Sequence, residues 1–453
     1  MTNRGQIMKK WKRTLVWVGA VLAVLFFVPF LIPMNAYIKQ AEELASAKLG
    51  VPVSIDSLRI ALLPSPRINV GKIMVGKNNE LSVERVSVVP ALTSLFSDTK
   101  VISSVKIKKP IIKKAALDIL ANLSKQPKDT SSTTTVTIRR INVEDAKLEW
   151  PGMNLPEINA DIALTAANKP ESAEIESVDG KLKLDLIPED GRQLITLVAK
   201  KWTLPAGPPL LIDQLQMDMV LTDSKLDIPK IDAALYGGKL SGDANLTWGK
   251  AFKLTGKTKL DNLAVREPAR LMSKSTRVSG QLFSNGSYIA TAKEAGQLAD
   301  NLHADIKFNV KDGVLYGFDL AKAPMMLLGQ GQGGETKFDE LSGLLNISGK
   351  TYRLGNLNVK SGRMLATGAV KISPNKTLDG EVDVEVKNSL NIASIPLQVS
   401  GTLDSPMVLP TKAALAGALA GTAVLGPAGA GIGLGVADKI KGLFGSDKGK
   451  KNK

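Results

Sequence analysis

The sequence predicts a mainly β protein with one membrane-spanning helix at its start and few other helices. Three observations lead there. Apolar and polar residues alternate over many short runs, helical spacing is confined to short segments, and residues 14–34 carry no charge. Alternation implies strands because successive side chains of a strand leave opposite faces. In "EVDVEVK", Val382, Val384 and Val386 face one way; Glu381, Asp383, Glu385 and Lys387 face the other. Ile395, Leu397, Val399 and Leu403 continue the pattern against Pro396, Gln398, Ser400 and Thr402.

The elements follow in chain order. Residues 1–13 form a basic start, with Arg4, Lys9, Lys10, Lys12 and Arg13 giving +5. The apolar run "TLVWVGAVLAVLFFVPFLIP" comes next, and at 1.5 Å per residue it spans about 30 Å, the thickness of a bilayer's hydrocarbon. Trp11 and Trp17 sit where interfacial aromatics belong, and the leading cations predict a cytoplasmic N-terminus. A cleaved signal peptide is the alternative. The length of the run and the lack of a clear small-x-small site favour a retained anchor over 14–34, with the remainder outside the cytoplasm.

Residues 35–49 have helical spacing in Ile38, Ala41, Ala45 and Leu49, and Gly50 is placed to stop the helix. Strand pattern then fills the rest of a module over 35–121, with "PALTSLF" as a brief helical turn. Residues 122–135, "NLSKQPKDTSSTTT", read as a linker.

From 136 to 411 the strand pattern resumes. Leu182, Leu184 and Leu186 alternate with Lys183 and Asp185; Leu215, Met217 and Met219 alternate with Gln216 and Asp218. Ile306, Phe308 and Val310 alternate with Asp305, Lys307 and Asn309. Only "VREPARLMSK" (265–274) and "KEAGQLADN" (293–301) look helical. Without long crossover helices, neighbouring strands should pair antiparallel. The tail, 412–453, contains "AALAGALAGTAVLGPAGAGIGLGVA", rich in Ala and Gly, with Gly417 and Gly421 in a G-x-x-x-G pair. A second membrane-embedded segment, a helical hairpin and a loose tail all suit it.

Composition narrows the function classes. Cysteine is absent, and His303 is the only histidine, on the polar side of its strand. Thiolate nucleophiles, cysteine-ligated metals and histidine-paired nucleophiles therefore have almost no raw material. The carboxylates Glu381, Asp383 and Glu385 lie on a face that a strand would expose. "GQGQGGE" (329–335) lacks the Lys-Ser/Thr ending of a phosphate loop, and "APMMLL" beside it suits an apolar core or contact. No catalytic residue, metal ligand or cofactor is expected. The net charge of +16 is +5 at the start, +4 after residue 437 and +7 spread between, so no phosphate-tracking stripe with interleaved aromatics emerges. Nucleic acid is not an expected partner.

What remains is binding by the continuous aliphatic face. Two sheets could press such faces together as a sandwich, or one curved sheet could leave its face lining a trough. Alternation alone favours the sandwich.

The order of phrases adds a resemblance. An anchor leads into "YIKQAEELASAKLGVPVSIDSLRIALLPSPRINVGKIMVG", "ELSVERVSVVPALTSLFSD" and "VKIKKPIIKK". Downstream come "ALYGGKLSGDANLTW", "FNVKDGVLYGFDLAKA", "FDELSGLLNISGKTYRLGNLNVKSGRMLATGAVKIS" and "IPLQVSGTLDSPMVLP". Across most of 14–412 this resembles AsmA-like proteins, although Asp145-Ala146 stands where an Asp-Gly turn is expected and the Gly/Ala tail lies outside the match. The resemblance implies an inner-membrane-anchored periplasmic protein of outer-membrane biogenesis. It implies an elongated, twisted antiparallel sheet forming an apolar groove that carries phospholipid, and an outer-membrane or envelope protein as a further partner. The groove residues expected on this basis are Leu182, Leu184, Leu186, Leu215, Met217, Met219, Ile306, Phe308, Val310, Val382, Val384, Val386, Ile395, Leu397, Val399 and Leu403. The alternative is an assembly factor whose exposed sheet edges bind client strands of outer-membrane proteins.

Overall fold

A computed structural model describes residues 34–62, 65–94, 99–117, 119, 136–205, 208–272, 277–320, 332–362, 364–387 and 392–425. The expected anchor up to residue 33, the expected linker 122–135, the segment 321–331 and the tail beyond Leu425 lie outside them. Among the described residues no helix is long and apolar enough to cross a membrane. The chain divides into two compact units, before and after the junction of Val198 and Ala199.

The first unit opens with α1 (Asn35–Leu49), which ends where expected: Gly50 takes φ 68°, and its N–H donates to the Ser46 carbonyl. Strands β1 (Val53–Ala61), β2 (Arg67–Val75), β3 (Leu81–Pro90) and β4 (Lys100–Lys113) pair antiparallel in sequence order. The stretch "PALTSLF" supplies a 3-10 turn at Leu92–Ser94.

The expectation of purely antiparallel pairing then fails. β5 (Val136–Ile138) and β6 (Arg140–Glu149) both run parallel to β4. A parallel partner requires a connection of a dozen or more residues, and the stretch between Lys113 and Val136 is long enough to return to the same end. Antiparallel order resumes with β7 (Ile158–Leu164), β8 (Pro170–Ser177) and β9 (Leu182–Glu189). β10 (Arg192–Thr203) runs across the junction of the units.

In the second unit the strands form one antiparallel meander, each paired with the next, in place of the two facing sheets that alternation favours. They are β11 (Leu211–Leu221), β12 (Lys225–Leu235), β13 (Gly238–Thr247), β14 (Phe252–Ala264), β15 (Val278–Ala292) and β16 (Leu302–Phe318). There follow β17 (Gln332–Ser348), β18 (Thr351–Ser361), β19 (Met364–Ile372), β20 (Leu378–Lys387), β21 (Ile392–Thr402) and β22 (Ser405–Pro410). α2 (Arg266–Met272) precedes β15, and α3 (Lys412–Leu425) follows β22. "KEAGQLADN" forms two 3-10 turns, Ala295–Gln297 and Ala299–Asn301, rather than a helix. The stretch is too short to repay an α-helical nucleus, and Gly296 weakens it further.

Bulges bend this sheet. The β14–β15 register shifts beside Asn262 (φ 60°), and the β15–β16 register shifts where Gly280 (φ 129°) faces Asp312 (φ 50°). Another shift, between β18 and β19, contains Asn356 (φ 50°). Asn and Asp tolerate the left-handed region better than other side chains, and an extra residue sharpens local twist. Asp145 uses the same device in the first unit: at φ 53° it sits in a register shift of β6, so no glycine is needed after it.

Candidate binding face

Pairing registers join the apolar residues of successive strands into one ladder. Leu215 lies opposite Ala233, Ala233 opposite Leu240, and Leu240 opposite Leu260. Past the first bulges, Leu282 faces Val310, Val310 faces Leu341, and Leu341 faces Val359. Ala366, Val384 and Ile395 complete the row. A second row runs Ile306, Leu345, Leu354, Val370. Directly opposed residues share a face, so this side of the second unit is aliphatic from β11 to β21.

The other side is polar and internally paired. Asn309 Nδ2 donates to Glu340, and Lys360 Nζ lies 3.0 Å from the same carboxylate. That lysine, more than any other neighbour, holds the Glu340 carboxyl below its ordinary pKa. Asn245 and Lys225 do the same for Asp227, and Asn346 donates to Asp305. Single pairs of this exposed kind contribute at most about 1 kcal/mol, but together they fix which face stays in water.

The apolar side is not uniformly covered. Val384, Ile395 and Leu397 are fully buried, in one cluster with Ala366 and with Ala414 of α3. Leu215, Met219 and Val310 are also buried, whereas Met217, Ile306, Phe308, Val382, Val386 and Val399 are half-buried. In the first unit Leu184 faces Ile175, Leu186 faces Ala173, and Leu182 begins its strand with its N–H bonded to Ser177 Oγ. Leu403 sits in the β21–β22 turn and lines a cavity of about 670 Å³. Within the second unit, that cavity gathers Ala269 of α2, Arg277, Val278, Leu345, Tyr352, Leu354 and Ile372. Its size lies inside the range of about 300–1,000 Å³ common to small-molecule sites.

Except for Leu403, none of these cavity residues stood out in the sequence. "SGLLNIS" sets Leu344 beside Leu345, and the bulge at Asn356 shifts the phase between Leu354 and Leu357, so strict alternation breaks where the cavity forms. Glycines on this face make room for rings: a Cβ at Gly256 would collide with Tyr288, whose hydroxyl donates to the Asp243 carbonyl. His303 is exposed, with a ring nitrogen 3.0 Å from the Asn301 carbonyl. Among the described residues no group of three or more His, Asp or Glu is placed to hold a metal ion.

No curated protein and no solved structure matches this chain. Residues 196–350, from within β10 to the turn after β17, match the family model described as AsmA family. The strands that carry the aliphatic ladder from β11 to β17 thus make up an AsmA family domain.

Proposed function

We propose that the protein binds the hydrocarbon tails of phospholipids on this aliphatic face and passes them along it, as a non-enzymatic component of outer-membrane biogenesis. In this reading residues 14–34 anchor the chain in the bacterial inner membrane and the strands lie in the periplasm. The observation that carries it is the half-buried second row, Ile306, Leu345, Leu354 and Val370, which lends Leu345 and Leu354 to the cavity. Each methylene moved from water onto such a surface gains about 0.8 kcal/mol, so a tail that is costly to expose in water rests cheaply there. A row of similar aliphatic positions holds every segment about equally, which suits sliding without covalent chemistry. Bulges that curve the strands keep headgroups in water while tails face inward.

The alternative, client strands added at sheet edges, is disfavoured by how two edges are finished. On β1 the N–H groups of Val53 and Ile55 are taken by Ser46 Oγ and Glu42 Oε1 of α1, at 2.9 and 2.7 Å. On β22, Thr411 N–H bonds the Pro396 carbonyl, so alternation turns Pro406, Val408 and Pro410 outward. Two of those three have no N–H to offer a client strand.

The test is mass spectrometry of what leaves with the gently purified protein. Co-purified phospholipid, displaced by a charge on the aliphatic rows, supports the reading. Protein clients without lipid would return the edge-binding alternative.

A further inference from the structure

The cavity between α2 and β17–β19 includes one cation, Arg277, that forms no ion pair among the described residues. Arg277 stands just before β15, half-buried, and its Nε is buried without a hydrogen-bond partner. Its guanidinium lies against Gly317, where any side chain would strike it. No carboxylate among the described residues pairs with it, and residues 273–276 and 321–331 contain no acid in sequence. The two other cations of the cavity differ. Lys350 lies 2.9 Å from Asp300 and Lys376 lies 3.9 Å from Asp404, and both are more than half exposed. The buried Nε of Arg277 is left with an unmet donor, and a planar guanidinium matches phosphate oxygens in a bidentate fork.

We propose that Arg277 is a headgroup anchor, pairing with the phosphate of an amphiphile whose tail occupies the cavity beside Val278, Leu345, Tyr352, Leu354 and Ile372. This rests on the reading of the aliphatic face as a tail-binding surface, and it adds a charge-selective station to an otherwise uniform path. Lys350 and Lys376, already neutralised by their aspartates, contribute only weak attraction at the rim. The missing side chain of Gly317 leaves the space that the guanidinium occupies.

The experiment uses the full chain in amphipol and two photoactivatable probes with the same sixteen-carbon tail, one headed by phosphate and one by maltose. Crosslinks are mapped by peptide mass spectrometry. The phosphate probe is expected to label the cavity peptides at about tenfold lower concentration, the factor that one charge-assisted hydrogen bond supplies. Arg277→Gln should remove that preference and leave labelling by the maltose probe unchanged, which also shows that the variant is folded. Arg277→Lys should restore it in part, and millimolar inorganic phosphate should not compete. A preference that survives Arg277→Gln overturns the anchor while leaving tail binding intact. Displacement by inorganic phosphate alone overturns it in favour of a free-anion site. Failure of both probes to label the wild-type cavity overturns the tail-binding reading and the anchor with it.

Discussion

A charge placed on the aliphatic face should act in two different ways, depending on where along the ladder it falls. Leu354 lines the cavity, lies between Leu345 and Val370, and is half-buried. Leu354→Asp gives up about half of a leucine's burial, about 1 kcal/mol, and its carboxylate can reach water in the unfilled cavity. It denies a bound tail the surrounding surface, however. Excluding three methylenes removes about 2.4 kcal/mol, or about fiftyfold in affinity. Val384, by contrast, is fully buried between Ala366 and Ile395. An uncompensated charge there costs about 3–5 kcal/mol, a large part of a domain's stability of about 5–15 kcal/mol. Thermal unfolding and quantified co-purified lipid, measured on both variants, separate the effects. Leu354→Asp should keep a cooperative transition near wild type and lose its lipid; Val384→Asp should lose the transition. Full lipid retention by a folded Leu354→Asp protein would refute the reasoning, as would a Val384→Asp protein that unfolds like wild type.

Three further outcomes are expected. Gly256→Val should destabilise by about 1–3 kcal/mol in urea titration, because its side chain has no room beneath Tyr288; an unchanged midpoint would contradict the close approach. Replacing Glu42 and Ser46 together with alanine leaves the Ile55 and Val53 N–H groups open, at a cost of about 1 kcal/mol each. Sedimentation velocity should then reveal self-association absent from wild type. Finally, Lys106 holds the Glu144 carboxyl below its ordinary value of 4.5, so this pair stabilises the fold above that pH and its contribution is lost as acidification passes the lowered folded value. Glu144→Gln should flatten the acid limb of a stability-against-pH curve slightly, and a steeper limb would reverse the assignment.

Much of the fold was legible because the side-chain period is rigid. Val382, Val384 and Val386 point as their spacing requires, and Gly50 ends α1 through the positive φ that glycine accepts. The parallel pairing of β4 with β6 was not legible, since it depends on where a long connection returns. Nor was the difference between Val384, fully buried in one cluster with Ala414 of α3, and Val382, half-buried two residues away. Alternation reports a face but not what covers it. The cavity escaped notice because Leu344 beside Leu345 and the bulge at Asn356 break the period among the strands that line it. Arg277 left no signal either: a buried Nε without a partner among the described residues is visible only once its neighbours are placed.

The central claim is that lipid tails use one face of the sheet, and site-specific photo-crosslinking in living cells tests it most directly. A crosslinking residue placed at Leu240, Ile306 or Leu354 should capture phospholipid, while one at the neighbouring Ser241, Lys307 or Arg353, on the polar side, should not. Equal lipid capture on the two sides, or none at the three aliphatic positions, would contradict it.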